Sequence, residues 1–310
     1  MRTSRVADTS ESRARRTLCH CTQNGPTMNL SALVNRKFPA LVFDYDARDT
    51  ILYALGVGAG ADPLDPRQLP YVYEPQLRII PSQASVIAYP GAWLTEPALG
   101  VDYVKVLHGE QGVIFERPLK PTGRVRGEYK VLGVDDKGPG KGAVVLFEKR
   151  IIDDAENQLI CRVQSTYFLR GDGGCGSWGQ ALPTSAALPD RAPDKIIDAP
   201  TIARQALIYR LSGDLNPVHA DPAVAAAAGF DRPILHGLCS YGVACLSLVQ
   251  ELCDNDPSRL TALFTRFSRP VFPGETIRLE LFEEDDGWRF RARAAERGEI
   301  VLDRGLARFS

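Results

Sequence analysis

The strongest constraint on this chain is that it repeats itself. Ile51 to Gly56 (Ile-Leu-Tyr-Ala-Leu-Gly) lies against Leu207 to Ser212 (Leu-Ile-Tyr-Arg-Leu-Ser), and Pro81 to Ser85 against His236 to Ser240. Glu116-Arg117-Pro118-Leu119 with Gly123 then echoes Ser268-Arg269-Pro270-Val271 with Gly274. The separations are 156, 155 and 152 residues, in the same order along the chain. Each match is short, but three in register point to a duplicated unit.

Within each unit the helical pattern comes first and the strands follow. In the second half Ile277, Leu279 and Leu281 alternate with Arg278, Glu280 and Phe282, and Phe290 sits among Arg289, Arg291 and Arg293, before a closing strand from Val301 to Phe309. The first half shows Val125, Tyr129 and Val131, then Val144 to Phe147, then Leu159 to Phe168. A period of two marks half-buried strands. Helix followed by antiparallel sheet argues for α+β, a helix lying on a curved sheet. The expected units are residues 28–170 and 200–310, joined by a loose linker over 171–199 that is rich in Gly, Pro, Ala and Ser. Residues 1–27 carry five arginines (Arg2, Arg5, Arg13, Arg15, Arg16) without apolar periodicity and read as a disordered tail, with Met28 as an alternative start.

Composition narrows the function classes. The 310 residues are 44% hydrophobic and 24% charged with a formal net charge of −1, so the whole molecule has no electrostatic reason to seek nucleic acid or an anionic membrane. No apolar run approaches the roughly 18 residues a membrane span needs; the longest, Val243 to Val249, is broken by Ser247 and reads as a buried helix. Seven cysteines are scattered, and Cys19-His20-Cys21 is too crowded for a usual zinc site. Free thiols in a reducing cytoplasm are expected.

The chemistry concentrates in Tyr209-Arg-Leu-Ser-Gly-Asp214-Leu-Asn216-Pro217-Val-His219-Ala-Asp221-Pro222, followed by Arg232-Pro-Ile-Leu-His236-Gly237. Gly213, Asp214, Asn216 and Pro217 are turn formers, so a helix gives way to a loop there. Asp221 suits an N-cap, Pro222 the first helical position and Gly229 the stop of a short Ala-rich helix. Gly237 opens an apolar helix from about Leu238 to Leu252. A backbone N–H in its first turn lacks a helical partner, and the helix dipole favours negative charge there. An oxyanion donor beside an Asp–His pair suits proton exchange at the α-carbon of a thioester, which passes through enolate charge on the carbonyl oxygen. His219 is the natural acid or base near neutral pH, Asp214 can hold and polarise the same water, and Asn216 either orients that water or ties the loop.

The spacing Gly213-Asp214-x-Asn216-Pro217-x-His219, with Arg232-Pro233 and His236-Gly237 downstream, resembles the signature of the MaoC-like (R)-specific enoyl-CoA hydratases, the hydratase 2 family. The resemblance implies a double hot-dog fold over about residues 28–310, with two long central helices each wrapped by a curved antiparallel sheet. It implies reversible syn hydration of trans-2-enoyl thioesters to (3R)-3-hydroxyacyl thioesters, in fatty-acyl or bulky acyl metabolism. Asp214 and His219 would activate water, and the Gly237 N–H would bind the thioester oxygen. No cofactor or metal is implied, because the coenzyme A or acyl-carrier moiety belongs to the substrate. His236, Leu238, Phe230 and Arg269 are candidate substrate contacts, and Arg266, Arg269 and Lys37 could meet coenzyme A phosphates. A homodimer is expected.

The repeat adds that the first half has Gly58 where the second has Asp214, Gly60 for Asn216, Pro63 for His219 and Ser82 for Gly237. The amino-terminal half should therefore be inert, its Gly-rich stretch Gly56 to Ala61 leaving room for an acyl tail. Plainer readings apply elsewhere. His236 supports the loop by hydrogen bonding, Ser240 lies inside a helix and is no hydrolase nucleophile, and Gly138 to Gly142 connects strands. His108-Gly109-Glu110-Gln111 reads as strand and turn, or else faces the acyl site. A thioesterase and a non-catalytic acyl-binding module remain the competing functions.

Overall fold

A computed structural model describes residues 28–183 and 186–310; the tail expected over 1–27 lies outside the described residues. The first half runs α1 (Leu30–Val34), β1 (Leu41–Tyr45), α2 (Ala47–Gly56), α3 (Leu69–Val72), β2 (Val106–Phe115), β3 (Gly123–Asp136), β4 (Ala143–Asp153) and β5 (Gln158–Leu169). After β6 (Trp178–Gly179), the second half runs β7 (Lys195–Pro200), α4 (Gln205–Tyr209), α5 (Pro222–Ala227), α6 (Gly237–Leu252), β8 (Leu260–Phe267), β9 (Thr276–Glu284), β10 (Gly287–Ala294) and β11 (Glu299–Phe309).

The strands form one antiparallel sheet in the order β1-β3-β4-β5-β2-β8-β11-β10-β9-β7, with β6 on β3. Read outward from its middle, each half has the same order, so the duplication is visible in the topology. The halves join where β2 pairs with β8, and Gly112 faces Phe264 there. These two are 152 residues apart, the same separation as Pro118 and Pro270, so the repeat's two-fold axis passes between equivalent positions. A Cβ on Gly112 would come within 2.1 Å of the Phe264 ring. Equivalent residues also meet elsewhere: the Tyr53 and Tyr209 rings lie 5.8 Å apart where α2 packs on α4.

α6 is the long central helix, 16 residues with 11 buried, packed on β7, β8, β9, β11 and β2. Its core is continuous with the first half: Tyr53, Val113 and Ile151 share one buried cluster with Tyr241, Leu248 and Phe290. Gly242 lets α6 approach the first half closely, since a Cβ there would lie 2.4 Å from Val57 Cγ1.

Two expectations need correction. The first half has no second long helix among its described residues. Its counterpart of α6 is a 3₁₀ turn, Pro81–Ser85, followed by further short turns at Trp93–Thr95, Pro97–Leu99 and Tyr103–Lys105. Pro90 and Pro97 remove backbone donors and Gly91 adopts φ 76°, so a helix cannot propagate through this stretch. The expected loose linker also holds strand at both ends of its irregular middle, Trp178–Gly179 and Lys195–Pro200. Lys195–Pro200 is an edge strand on β9, so the second half begins before residue 200. The Gly-rich front is pinned because the Asp136 carboxylate accepts from the N–H groups of Gly138, Gly174 and Gly176 at 2.9, 2.8 and 2.7 Å. Among the described residues, no helix is long and apolar enough to cross a membrane.

Candidate active site

The segment leaving α4 makes a 3₁₀ turn, Arg210–Ser212, that ends on Gly213 at φ 119°. Only glycine adopts that conformation without strain, and the turn brings Asp214 to the wall of a cavity. Asn216 N–H donates to Asp214 Oδ1 at 3.1 Å, while Asn216 Oδ1 accepts from Val218 N–H at 3.2 Å and caps the turn Pro217–His219. Asn216 thus ties the loop. Asp221 caps α5 by accepting from Ala223 N–H at 2.8 Å, and Gly229 at φ 88° ends that helix, as their positions suggested.

Asp214, His219 and His236 bring side-chain polar atoms within 4.8 Å of one another. The two histidines stack, ring centroids 3.7 Å apart at 28°, yet their partners differ. His219 Nδ1 lies 2.9 Å from Ile234 O. A carbonyl can only accept, so Nδ1 carries the proton and Nε2 is left as the basic nitrogen. His236 Nε2 lies 3.1 Å from Asp214 O and donates to it, and its buried Nδ1 has no partner among the described residues. Burial pushes the His219 pKa below the ordinary imidazole value of 6.5, opposed by the Ile234 carbonyl and the Asp214 charge. Burial, then the neighbouring His219 charge, pushes His236 down to about 4. His236 thus ties the loop through the Asp214 carbonyl and, at 1% exposure, does not line the cavity.

At the start of α6, His236 is the N-cap but gives no side-chain cap. Gly237 is exposed there, so its first-turn N–H stays open to a ligand. The cavity beside Asp214 has a volume of about 100 Å³ and is lined by Leu238 from α6 and by His108, Phe147, Lys149 and Tyr167 from the first half's strands. Asp214 is part of this wall, whereas His219, His236 and Gly237 adjoin it without lining it. A larger cavity of about 250 Å³, between Arg78, Pro118 and Leu260, holds none of these groups.

Other candidates fall outside. Arg269 has a side chain 64% exposed, 4.0 Å from Glu299, and Phe230 follows the Gly229 stop of α5 with its N–H on Ala225 O at 3.0 Å. Neither lines the cavity. Lys37 is exposed and also lies outside its wall. The stretch Gly56 to Ala61 does not line the cavity either: Gly56 packs against Tyr209, and Gly60 against Val72. The space opens instead beside Ser85, Val86 and Tyr89, where the first half lacks its helix. His108 is strand and cavity wall at once; burial holds its pKa down to about 4, and among the described residues its Nε2 has no hydrogen-bond partner.

Two antiparallel-sheet halves of the same topology around one long helix, with a carboxylate, an imidazole and an open helix N-terminus beside a cavity, define a double hot-dog hydro-lyase. A family profile described as MaoC like domain matches residues 184–303, and one described as MFE-2 hydratase 2 N-terminal domain matches 43–171. The chain is 39% identical over 279 residues to 3-hydroxyacyl-thioester dehydratase Y of Mycobacterium tuberculosis, covering 87% of this chain and 94% of that one. It is 35% identical over 286 residues to mouse peroxisomal multifunctional enzyme type 2, covering 89% of this chain but only 38% of that longer protein. The crystal structure of a MaoC-like dehydratase from Phytophthora capsici superposes with a TM-score of 0.81 at 34% identity, covering 91% of this chain and 99% of that one. The chain belongs to the MaoC-like hydratase 2 family.

Proposed function

We propose that this chain adds water reversibly to trans-2-enoyl thioesters, giving (3R)-3-hydroxyacyl thioesters. The observation that carries this reading is the Asp214–His219 pair at a cavity beside the open N-terminus of α6. A water held between the Asp214 carboxylate and His219 Nε2 attacks C3 of the enoyl group. The C2–C3 π electrons move towards the thioester oxygen, which the Gly237 N–H stabilises. The proton taken from water by Nε2 is delivered to C2 on the same face, so OH and H add syn. Preorganised donors and a positioned base are together the expected source of rate. Asp214, His219 and His236 have the atoms to hold a metal; we propose none is needed, since side chains present here supply each step, and a chelator should leave the rate unchanged.

One working site per chain follows from Gly58, Gly60 and Pro63 at the positions equivalent to Asp214, Asn216 and His219, the first half offering its cavity to the acyl tail. A coenzyme A thioester is the proposed donor, with acyl-carrier thioesters as the comparison. A homodimer is supported by the outer strands β1 and β7, which expose Leu41 (38%), Val42 (42%) and Ile196 (57%), and sedimentation mass tests it. We place the protein in the cytoplasm on its five described free thiols; cell fractionation decides between that and the compartment in the mouse relative's name. The assay for function is loss of enoyl absorbance without release of free thiol, which separates hydration from thioester hydrolysis.

A further inference from the structure

The cavity beside Asp214 is not apolar throughout. Lys149, on β4, lines it and is only 3% exposed. Its Nζ donates to Ser85 O at 3.0 Å and Ile87 O at 2.6 Å. An ammonium has three N–H donors, so one is left, and among the described residues no carboxylate pairs with it: burial holds its pKa down, to about 7, opposed by Cys161. Next to it, Gln111 Nε2 donates to Ser85 Oγ at 3.2 Å and Ser165 Oγ donates to Gln111 Oε1 at 2.8 Å. Lys149, Gln111, Ser85 and Ser165 all belong to the cavity wall. The two carbonyls lie at the C-terminal end of the Pro81–Ser85 turn, where a cation is favoured. They do not neutralise it, and a buried amine without a counter-charge is costly to keep in a pocket meant for alkyl chains alone.

We propose that Lys149 recognises an oxygen acceptor, a carbonyl or a carboxylate, on the acyl chain, making the enzyme selective for functionalised enoyl thioesters over plain alkyl ones. The proposal rests on the hydration reading and names the substrate class of that same site. Gln111 and Ser165 supply a neutral polar surround for the same oxygen.

The test is kcat/KM of the full chain on trans-2-enoyl-CoA substrates of several matched lengths, each ending in methyl, methyl ketone or carboxylate. A hydrogen bond to a charged group predicts a preference of about tenfold or more for an oxygen-bearing member at one length. Lys149→Met should reduce that preference to within about twofold, because its loss falls more heavily on the oxygen-bearing substrates than on the methyl-ended ones. A lead for the carboxylate arm identifies a charge partner, and a lead for the ketone arm a neutral acceptor; either supports the assignment. A wild-type preference for methyl at every length overturns it, and this holds even if Lys149→Met fails to fold. An equal loss on every substrate in Lys149→Met also overturns it, since that is the signature of a strut for Ser85 and Ile87. Absence of turnover on the whole panel counts against the hydration reading, and calorimetric ranking of matched saturated acyl-CoAs then decides the Lys149 assignment separately.

Discussion

His219 and His236 stack face to face, and their different jobs follow from which ring nitrogen each spends on a backbone carbonyl. His219 keeps Nε2 as a base, so His219→Ala and Asp214→Asn should each lower kcat by about 10²–10⁴-fold, measured on an enoyl-CoA substrate. His236→Ala should act through the loop, and a fall in thermal stability alongside activity would mark that role. Because the His219 pKa is lowered from 6.5, kcat/KM should stay flat through neutrality and fall only below pH 6.5; a fall that begins above it counts against His219 as the base. Stability follows the same sign. His108 and His236 titrate near 4 folded against 6.5 unfolded, so between those values the unfolded chain binds more protons. The melting temperature should therefore drop as pH falls from 6.5 to about 4, and a constant value across that window contradicts the burial of these rings. Asp214, Asn216, Pro217, His219 and Gly237 could be read from the sequence because turn and cap chemistry is local. Lys149 and Ser165 could not: strand periodicity says which residues share a face, not which face lines a cavity.

At the level of elements, one helix does the work expected of two. Gly242 lies in α6 with room for no side chain beside Val57 and Tyr53. Gly242→Ala should cost about 1–3 kcal/mol in urea unfolding through overpacking, and an unchanged midpoint would mean that α2 yields freely. The strands β3, β4, β5, β9, β10 and β11 showed in alternating or continuous apolar residues, and α6 in being apolar nearly all round. The second long helix was expected from the family resemblance, and the repeat, which aligns Pro81–Ser85 with the start of α6, did not contradict it. Pro90, Gly91 and Pro97 carried the contrary signal. β7 escaped notice because its alternating exposed and half-buried residues, Lys195 to Pro200, follow a Pro- and Ala-rich stretch and sit at an edge. There pairing comes from β9 and not from a buried face.

Across the whole molecule, the β2–β8 junction and the shared core make two similar halves one cooperative body. Calorimetry should show a single unfolding transition, with two separate transitions as the contrary result. Gly112→Val at the pseudo-two-fold axis should lower that transition, since its side chain would have to displace the Phe264 ring. The duplication was legible because separations survive divergence. The join was not, because Gly109 and Gly112 interrupt the apolar pattern of β2 where it matters most. The proposed hydration at Asp214 and His219 is tested most directly by turnover of a trans-2-enoyl-CoA with chiral analysis of the product. The wild-type chain should give the (3R)-alcohol with no free thiol, and Asp214→Asn and His219→Ala should each abolish nearly all of it while remaining folded. Thiol release, a (3S) product, or full activity in either variant would contradict a site built from those two side chains.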